Sequence, residues 1–319
     1  MARVNGYRGT HFVSMPISFK MIIRLRCLSL MIVSSISSVG VARASAARSR
    51  SASFSPGPST ETSTETSSET STGHSSSASI ASTLESVLRI AAASDLRFAL
   101  DELRATAEKQ LVSTHIEIIY GSSGQLAQQI EAGAPFDVFL SADASFAKRV
   151  EEAHFAAGPI FQYGTGRLVI WSLKDTKINW EPTLGLLLLK DPSILKISMA
   201  NPQHAPYGTL AETALQHAGI FDELKARLVT ADGVSQAAQF AEVGATSVGL
   251  ISESLALSPE MASRGHFFRV DEKLAAPLAA SGLIIAKSKN EAAAIRFRDI
   301  LLSRAGQRIL EKFGLALRK

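Results

Sequence analysis

Four short stretches of this 319-residue chain set small or polar residues where an apolar, strand-like run gives way to a helical pattern. They are Ala93-Ser94-Asp95, Tyr120-Gly121-Ser122-Ser123-Gly124, Asn201-Pro202-Gln203-His204-Ala205-Pro206-Tyr207-Gly208 and Asp232-Gly233-Val234. The first turn of a helix carries backbone N–H groups with no intrahelical partner, together with the positive end of the helix dipole. Several helix starts converging on one point hold an anion without any Lys or Arg, and serine hydroxyls add further donors. Taken singly, the same residues are ordinary. A lone serine such as Ser94 or Ser123 is more often an N-cap, Gly121 and Gly124 are turn residues, and Pro206-Tyr207-Gly208 is a helix-start turn.

Other chemistries fit these residues less well. Gly121-Ser122-Ser123-Gly124 lacks the Gly-x-Ser-x-Gly spacing of a nucleophile elbow. A serine hydrolase would also need a base from His204, His217 or His266. His204 sits in a proline-flanked loop, and His217 lies near a helix C-terminus, where a cationic ring suits the dipole. Gly164-Thr165-Gly166 is not followed by a dinucleotide fingerprint. Recognition of an amino or organic acid would call for a cation beside the strand ends, and Arg97, one turn into its helix, faces solvent in this reading. An iron site would want clustered tyrosines, whereas Tyr120, Tyr163 and Tyr207 are scattered. The reading is therefore of a binder with no catalytic residues and no cofactor.

The elements that position these stretches alternate. Strand patterns cover 88–93, 116–120, 137–141, 167–173, 196–200, 247–252 and 281–286. Helical patterns cover 95–111, 124–132, 208–218, 234–242, 290–303 and 305–313. This alternation predicts an α/β architecture with mainly parallel sheets. About 230 residues of it are too many for one sheet, so two lobes are expected. Ligands of such sheets sit at the carboxyl ends of the strands, where all four stretches fall.

The net charge of +4 suggests nucleic acid until it is located. Of 33 Lys and Arg, eight lie in residues 1–50, which hold no acid; of 29 Asp and Glu, four lie in 51–86, which hold no base. Residues 87–319 therefore balance at 25 of each, which argues against nucleic-acid binding driven by a cationic surface. The single cysteine, Cys27, also precedes this body, so thiol chemistry is excluded from it. Arg24 and Arg26 precede an apolar run to Val41 and then small residues, including Ala42-Arg43-Ala44 and Ala44-Ser45-Ala46. We read residues 1–46 as an export signal, with Met21 an alternative start. Residues 51–83 contain 20 Ser or Thr among 33, too few apolar side chains to offset the entropy of ordering, so 47–86 reads as a disordered linker.

Across 88–319 the sequence resembles the substrate-binding proteins of molybdate ABC transporters. The resemblance is carried by AAASDL (91–96), YGSSGQLAQQIEAGAPFDVFLSAD (120–143), NPQHAPYG (201–208) and GQRILEKFG (306–314). It implies a two-lobed, type II periplasmic-binding-protein fold with the ligand in the interlobe cleft. The first lobe would span 87–165 and 280–319, and the second 166–279. Carried over by position, the molybdate contacts would be Ser94 and Ser123, through hydroxyl and backbone N–H, with the backbone N–H groups of Tyr207 and Val234. Ser252 stands where some members place a tyrosine hydroxyl, as a fifth contact. The only metal would be that inside the oxyanion, met through the same residues. The resemblance further implies a periplasmic or extracytoplasmic monomer that carries molybdate or tungstate to a membrane permease and ATPase. Sulfate or another oxyanion is the alternative ligand.

Overall fold

The computed structural model describes residues 86–315 and 317. The expected export signal, Met21, Cys27 and all of the expected linker except Ser86 lie outside the described residues. Ser86 itself opens the first strand.

Two five-stranded sheets carry the body, each flanked by helices. The chain begins with β1 (Ser86–Ala93), a 3-10 turn (Ser94–Leu96) and α1 (Arg97–Gln110). It continues through β2 (Thr114–Gly121), α2 (Ser123–Glu131), β3 (Val138–Ser141), α3 (Ala144–Glu152) and β4 (Phe161–Gly166). At Arg167 it crosses to the second lobe, formed by β5 (Leu168–Leu173), β6 (Ile197–Ala200), α4 (Pro206–His217), α5 (Phe221–Leu224), β7 (Leu228–Ala231), α6 (Val234–Glu242), β8 (Val248–Ser252), α7 (Glu253–Ala256), α8 (Pro259–Arg264) and β9 (Gly265–Arg269). It then returns as β10 (Leu278–Ile284), followed by α9 (Glu291–Leu302) and α10 (Arg304–Lys312). The strand orders are β2-β1-β3-β10-β4 and β7-β6-β8-β5-β9.

The expectation of mainly parallel sheets is corrected. β1 runs parallel to β2 and β3, and β6 to β7 and β8, but β10 is antiparallel to β3 and β4, as β5 is to β8 and β9. Each sheet is thus a parallel triad extended by an antiparallel pair. The strands that run against the triads are β5 and β10, the ones that receive the chain after each crossing, so they start from the cleft end; β4 and β9, which lead into the crossings, run with the triads. Sequence patterning also passed over β4, β7, β9 and α3. In β4 the run Tyr163-Gly164-Thr165-Gly166 breaks the alternation of large side chains because the carbonyl of Leu315 packs where Gly164 would carry a Cβ, 2.0 Å from that position.

Side-chain alternation shows how the first sheet is covered on both faces. Ala91, Phe139 and Leu283 pack with Leu126, Ile130 and Val150 of α2 and α3. Their neighbours Ile90, Ala92 and Leu140 join the main core with Leu100 and Leu103 of α1 and Phe297 and Leu301 of α9. Full burial of such a side chain is worth roughly 1.5–3 kcal/mol, so each helix is held chiefly by its apolar stripe. Asp137 closes the end of this sheet away from the helix starts. Its carboxylate accepts hydrogen bonds from Arg89 N (2.7 Å), Ser288 Oγ (2.6 Å) and Asn290 Nδ2 (3.3 Å), joining β1, the loop before β3 and the entry to α9.

Asp137→Ala is expected to cost roughly 2–4 kcal/mol, because it removes a charged acceptor and strands a buried N–H. The urea unfolding midpoint checks this, and an unchanged midpoint would show that the junction carries no stability.

Candidate anion-binding cleft

The site begins with register. In the first sheet Ala93 stands opposite Gly121, so the chain leaves β1 and β2 side by side, into Ser94 and into Ser122-Ser123. In the second sheet Ala200 stands opposite Ala231, and Asn201 N donates to Ala231 O at 2.8 Å. The loop before α4 and the turn before α6 therefore also lie together.

The two pairs face one another across the lobes. Ser235 Oγ donates to Ser94 O (2.9 Å), and Gly124 N donates to His204 O (2.9 Å). Ser122 Oγ and His204 Nδ1 are 2.9 Å apart, and Ser254 Oγ donates to Asp95 O (2.7 Å). The approach at Gly124 is close enough to require glycine: a Cβ there would lie 2.7 Å from the His204 carbonyl oxygen. On the other side, a Cβ on Gly233 would lie 3.6 Å from Ser94 Oγ. The structure thus brings the Ser94 turn against the start of α6, and the start of α2 against the loop leading into α4. It is a closed arrangement of the lobes.

What the helix starts leave open is informative. α3, α7, α8 and α10 are capped by the side chains of Asp143, Ser252, Ser258 and Ser303. The three helices that begin at the cleft, α2, α4 and α6, have no side-chain cap, and neither do α1, α5 and α9. The N-cap serine of α2, Ser122, is turned to His204 instead. Ser123 is fully buried, and its Oγ accepts from Ala142 N (3.1 Å), which fixes the oxygen and leaves the hydroxyl proton for another acceptor. Pro206 opens α4 and has no N–H, so Tyr207 N–H is the first donor of that helix, while Gly208 N and Thr209 N return to Ala205 O. α6 starts at Val234 after Gly233, a residue with no side chain to cap it.

Ser252 is placed differently. It is fully buried at the end of β8, where its Oγ accepts from Leu255 N (3.3 Å) and meets Ser254 Oγ at 3.0 Å. Its hydroxyl is engaged in capping α7 and in the Ser252–Ser254–Asp95 chain of hydrogen bonds. Arg97 is exposed. Ser122 and His204 have the composition of a nucleophile and base, but no acid is hydrogen-bonded to the other ring nitrogen among the described residues, and the pair ties the two lobes.

Sequence reasoning missed Asp95. It is 2% exposed, and neither carboxylate oxygen has a hydrogen-bond partner among the described residues. Burial lifts its pKa from 3.8 to about 7, opposed by the nearby Tyr207 hydroxyl, which interacts with the carboxylate without closing a hydrogen bond of ordinary geometry. The Tyr207 phenol is itself pushed up, first by burial and then by the Asp95 charge. An acid in the first turn of a helix is commonplace, so nothing in the sequence distinguishes Asp95.

Comparisons with known proteins agree in direction. The family model of the bacterial extracellular solute-binding proteins matches residues 88–316. The chain is 35% identical over 196 residues to the molybdate-binding protein ModA of Rhodobacter capsulatus, covering 61% of this chain and 75% of that protein. The structure of the Azotobacter vinelandii periplasmic molybdate-binding protein superposes with a TM-score of 0.67 at 28% identity, covering 73% of this chain and 100% of that one. The sulfate-binding protein SubI of Mycobacterium tuberculosis shares the fold, with a TM-score of 0.63 at 15% identity over 72% of this chain and 86% of that one.

The Asp95 environment makes a pH-dependent prediction for the ligand-free protein. The folded-state pKa lies above the unfolded value, so the folded state keeps a proton that the unfolded chain releases between about pH 4 and 7. Stability associated with Asp95 is full below pH 4 and is lost as the pH rises through 7. Asp95→Asn removes that loss, on the order of 3–4 kcal/mol at pH 8. Thermal melts should show the variant above the wild type at pH 8 and the gap closing towards pH 4; a gap independent of pH would refute the assignment.

Proposed function

The chain belongs to the bacterial extracellular solute-binding protein family, and from that premise we infer that it captures molybdate, and tungstate with it, for an ABC importer. The observation that carries the reading is the set of three uncapped helix starts, α2, α4 and α6, brought together from both lobes beside Ser94. We assign the contacts to the Ser94 and Ser123 hydroxyls and backbone N–H groups and to the N–H groups of Tyr207 and Val234. Ser252 is left to its helix cap.

A site made only of donors suits this cargo. Molybdate and tungstate are fully deprotonated dianions at neutral pH, so every oxygen accepts. Hydrogen phosphate brings a proton with no acceptor to meet it, an unpaired polar group at a buried position. Helix-end dipoles stabilise the dianion without a buried counter-charge and the desolvation that one would cost. Sulfate offers the same charge and shape, so its rejection must rest on the size of the cavity. The weaker alternative, a sulfate carrier, keeps the same site with a smaller cavity.

In this reading the protein is a monomeric carrier without catalytic residues. Ser122 and His204 serve closure, and a serine-directed acylating reagent should leave both unlabelled. The protein works outside the cytoplasm, exported by residues 1–46, and the closed lobes present the surface that the permease and its ATPase recognise.

Calorimetric titration with molybdate, tungstate, sulfate and phosphate in turn tests the function. Tight one-to-one binding of the first two, weak sulfate binding and no phosphate binding is the expected result. A preference for sulfate would change the cargo and keep the site, and no binding of any oxyanion would remove the function. Within the site, Ser123→Ala should weaken molybdate binding by roughly 1–3 kcal/mol, the cost of leaving a charged acceptor without a buried donor. Ser252→Ala should instead lower stability by about 1 kcal/mol, as a lost N-cap does, with a smaller effect on affinity than Ser123→Ala.

A further inference from the structure

Tyr207 reaches beyond the anion cleft. Its backbone N–H opens α4 in the second lobe, yet its side chain, 1% exposed, ends at the hinge. The hinge is where Gly166, the last residue of β4, pairs with Leu278, the first of β10, so both crossings between the lobes meet at this pair. A Cβ on Gly166 would lie 2.2 Å from the Tyr207 hydroxyl oxygen and 3.2 Å from Cζ. The end of the phenol therefore presses on bare backbone of the first lobe. The hydroxyl has no hydrogen-bond partner among the described residues and interacts with Asp95, the neighbour of Ser94 in the first lobe. The ring is stiff, and the opposing atoms are strand backbone paired with β10.

We propose that the Tyr207 side chain is the wedge that stops lobe closure at a set angle, and so fixes the width of the anion cavity and its preference for molybdate over the smaller sulfate. The inference rests on the molybdate reading above and adds a specificity-determining residue to it. Two of the contacts between the lobes involve backbone that cannot give way to a side chain. Beside Ser123, the Gly124 N–H meets the His204 carbonyl; at the hinge, the phenol meets Gly166. With both in place the donors of the two lobes face each other at a fixed separation. Without the wedge, the lobes rotate further about the Gly124–His204 contact and the donors draw in towards a smaller ion.

Tyr207→Ala keeps the N–H donor and removes the wedge. Titrated with molybdate and sulfate, this variant should show a molybdate-to-sulfate affinity ratio about tenfold or more below that of the wild type, the scale on which a small change in pocket size discriminates. A merely structural role would weaken both ions alike and leave the ratio where it was, which would overturn the proposal. Gly166→Ala supplies a second test should Tyr207→Ala fail to fold. The added methyl meets the hydroxyl and holds the lobes apart, so binding of both ions weakens. Adding Tyr207→Phe removes the oxygen at 2.2 Å, leaves the 3.2 Å contact to the ring, and restores part of the binding. Wild-type binding in Gly166→Ala, or no rescue in the double variant, would refute the wedge. Failure of the wild type to bind molybdate at all would instead remove the underlying function.

Discussion

A helix cannot satisfy its own first N–H groups, and the described body is organised by what meets them. Away from the cleft, α3, α8 and α10 take an acceptor from the side chain that precedes them, whereas α5 and α9 have no side-chain cap. At the cleft, α2, α4 and α6 have no side-chain cap, Ser122 being turned towards His204, while α7, which also meets the first lobe, is capped by Ser252. Polar groups left bare in a closed interface cost free energy unless something else accepts from them. The lobes thus bring uncapped helix starts together, and in the proposed reading an ion that only accepts hydrogen bonds completes them. The parallel triads β2-β1-β3 and β7-β6-β8 matter for this reason, because parallel pairing puts neighbouring helix starts at the same end of each sheet.

The hinge must bend without coming apart, and its charges are arranged accordingly. Glu253, 1% exposed at the start of α7, accepts from Arg269 Nε at 2.9 Å, and its other oxygen lies 3.8 Å from Arg167 Nη1. Arg167 also pairs with Glu272 at 3.2 Å, so the first crossing is tied to the second through one guanidinium. A buried carboxylate held by two guanidinium groups is costly to break from either side, which keeps the crossings together while the lobes turn about them. Asp95 has no such partner. Burial favours its neutral acid, so its negative charge fades as the pH falls below about 7.

How much of this could be read from sequence depended on the range of the interaction. Ser94, Ser123 and the start of α4 were legible because strand-to-helix punctuation is local, and Pro206 announces a helix start on its own. Val234 was legible only through its place after Asp232-Gly233 and through the family resemblance. The antiparallel placement of β10 and β5 was not legible, since an apolar run has the same pattern whichever way it points. β4 was hidden because its glycines answer to the Leu315 carbonyl and the Tyr207 phenol, atoms far away in sequence. The same holds for Asp95 and for the Tyr207 side chain: each occupies an unremarkable local position and gains its meaning only when the lobes meet.

Donor-only recognition also explains why such distant atoms matter. Sulfate and molybdate present the same charge and the same four acceptors, so no hydrogen bond counted at the site separates them. What separates them is the distance between two sets of donors, and those sets belong to different lobes. That distance is not held by either helix start, however rigid, but by whatever halts the rotation of one lobe on the other. At the hinge of this protein the Tyr207 phenol meets the bare backbone of Gly166. Selectivity between like-charged tetrahedral ions is therefore a property of the hinge as much as of the groups that touch the ion.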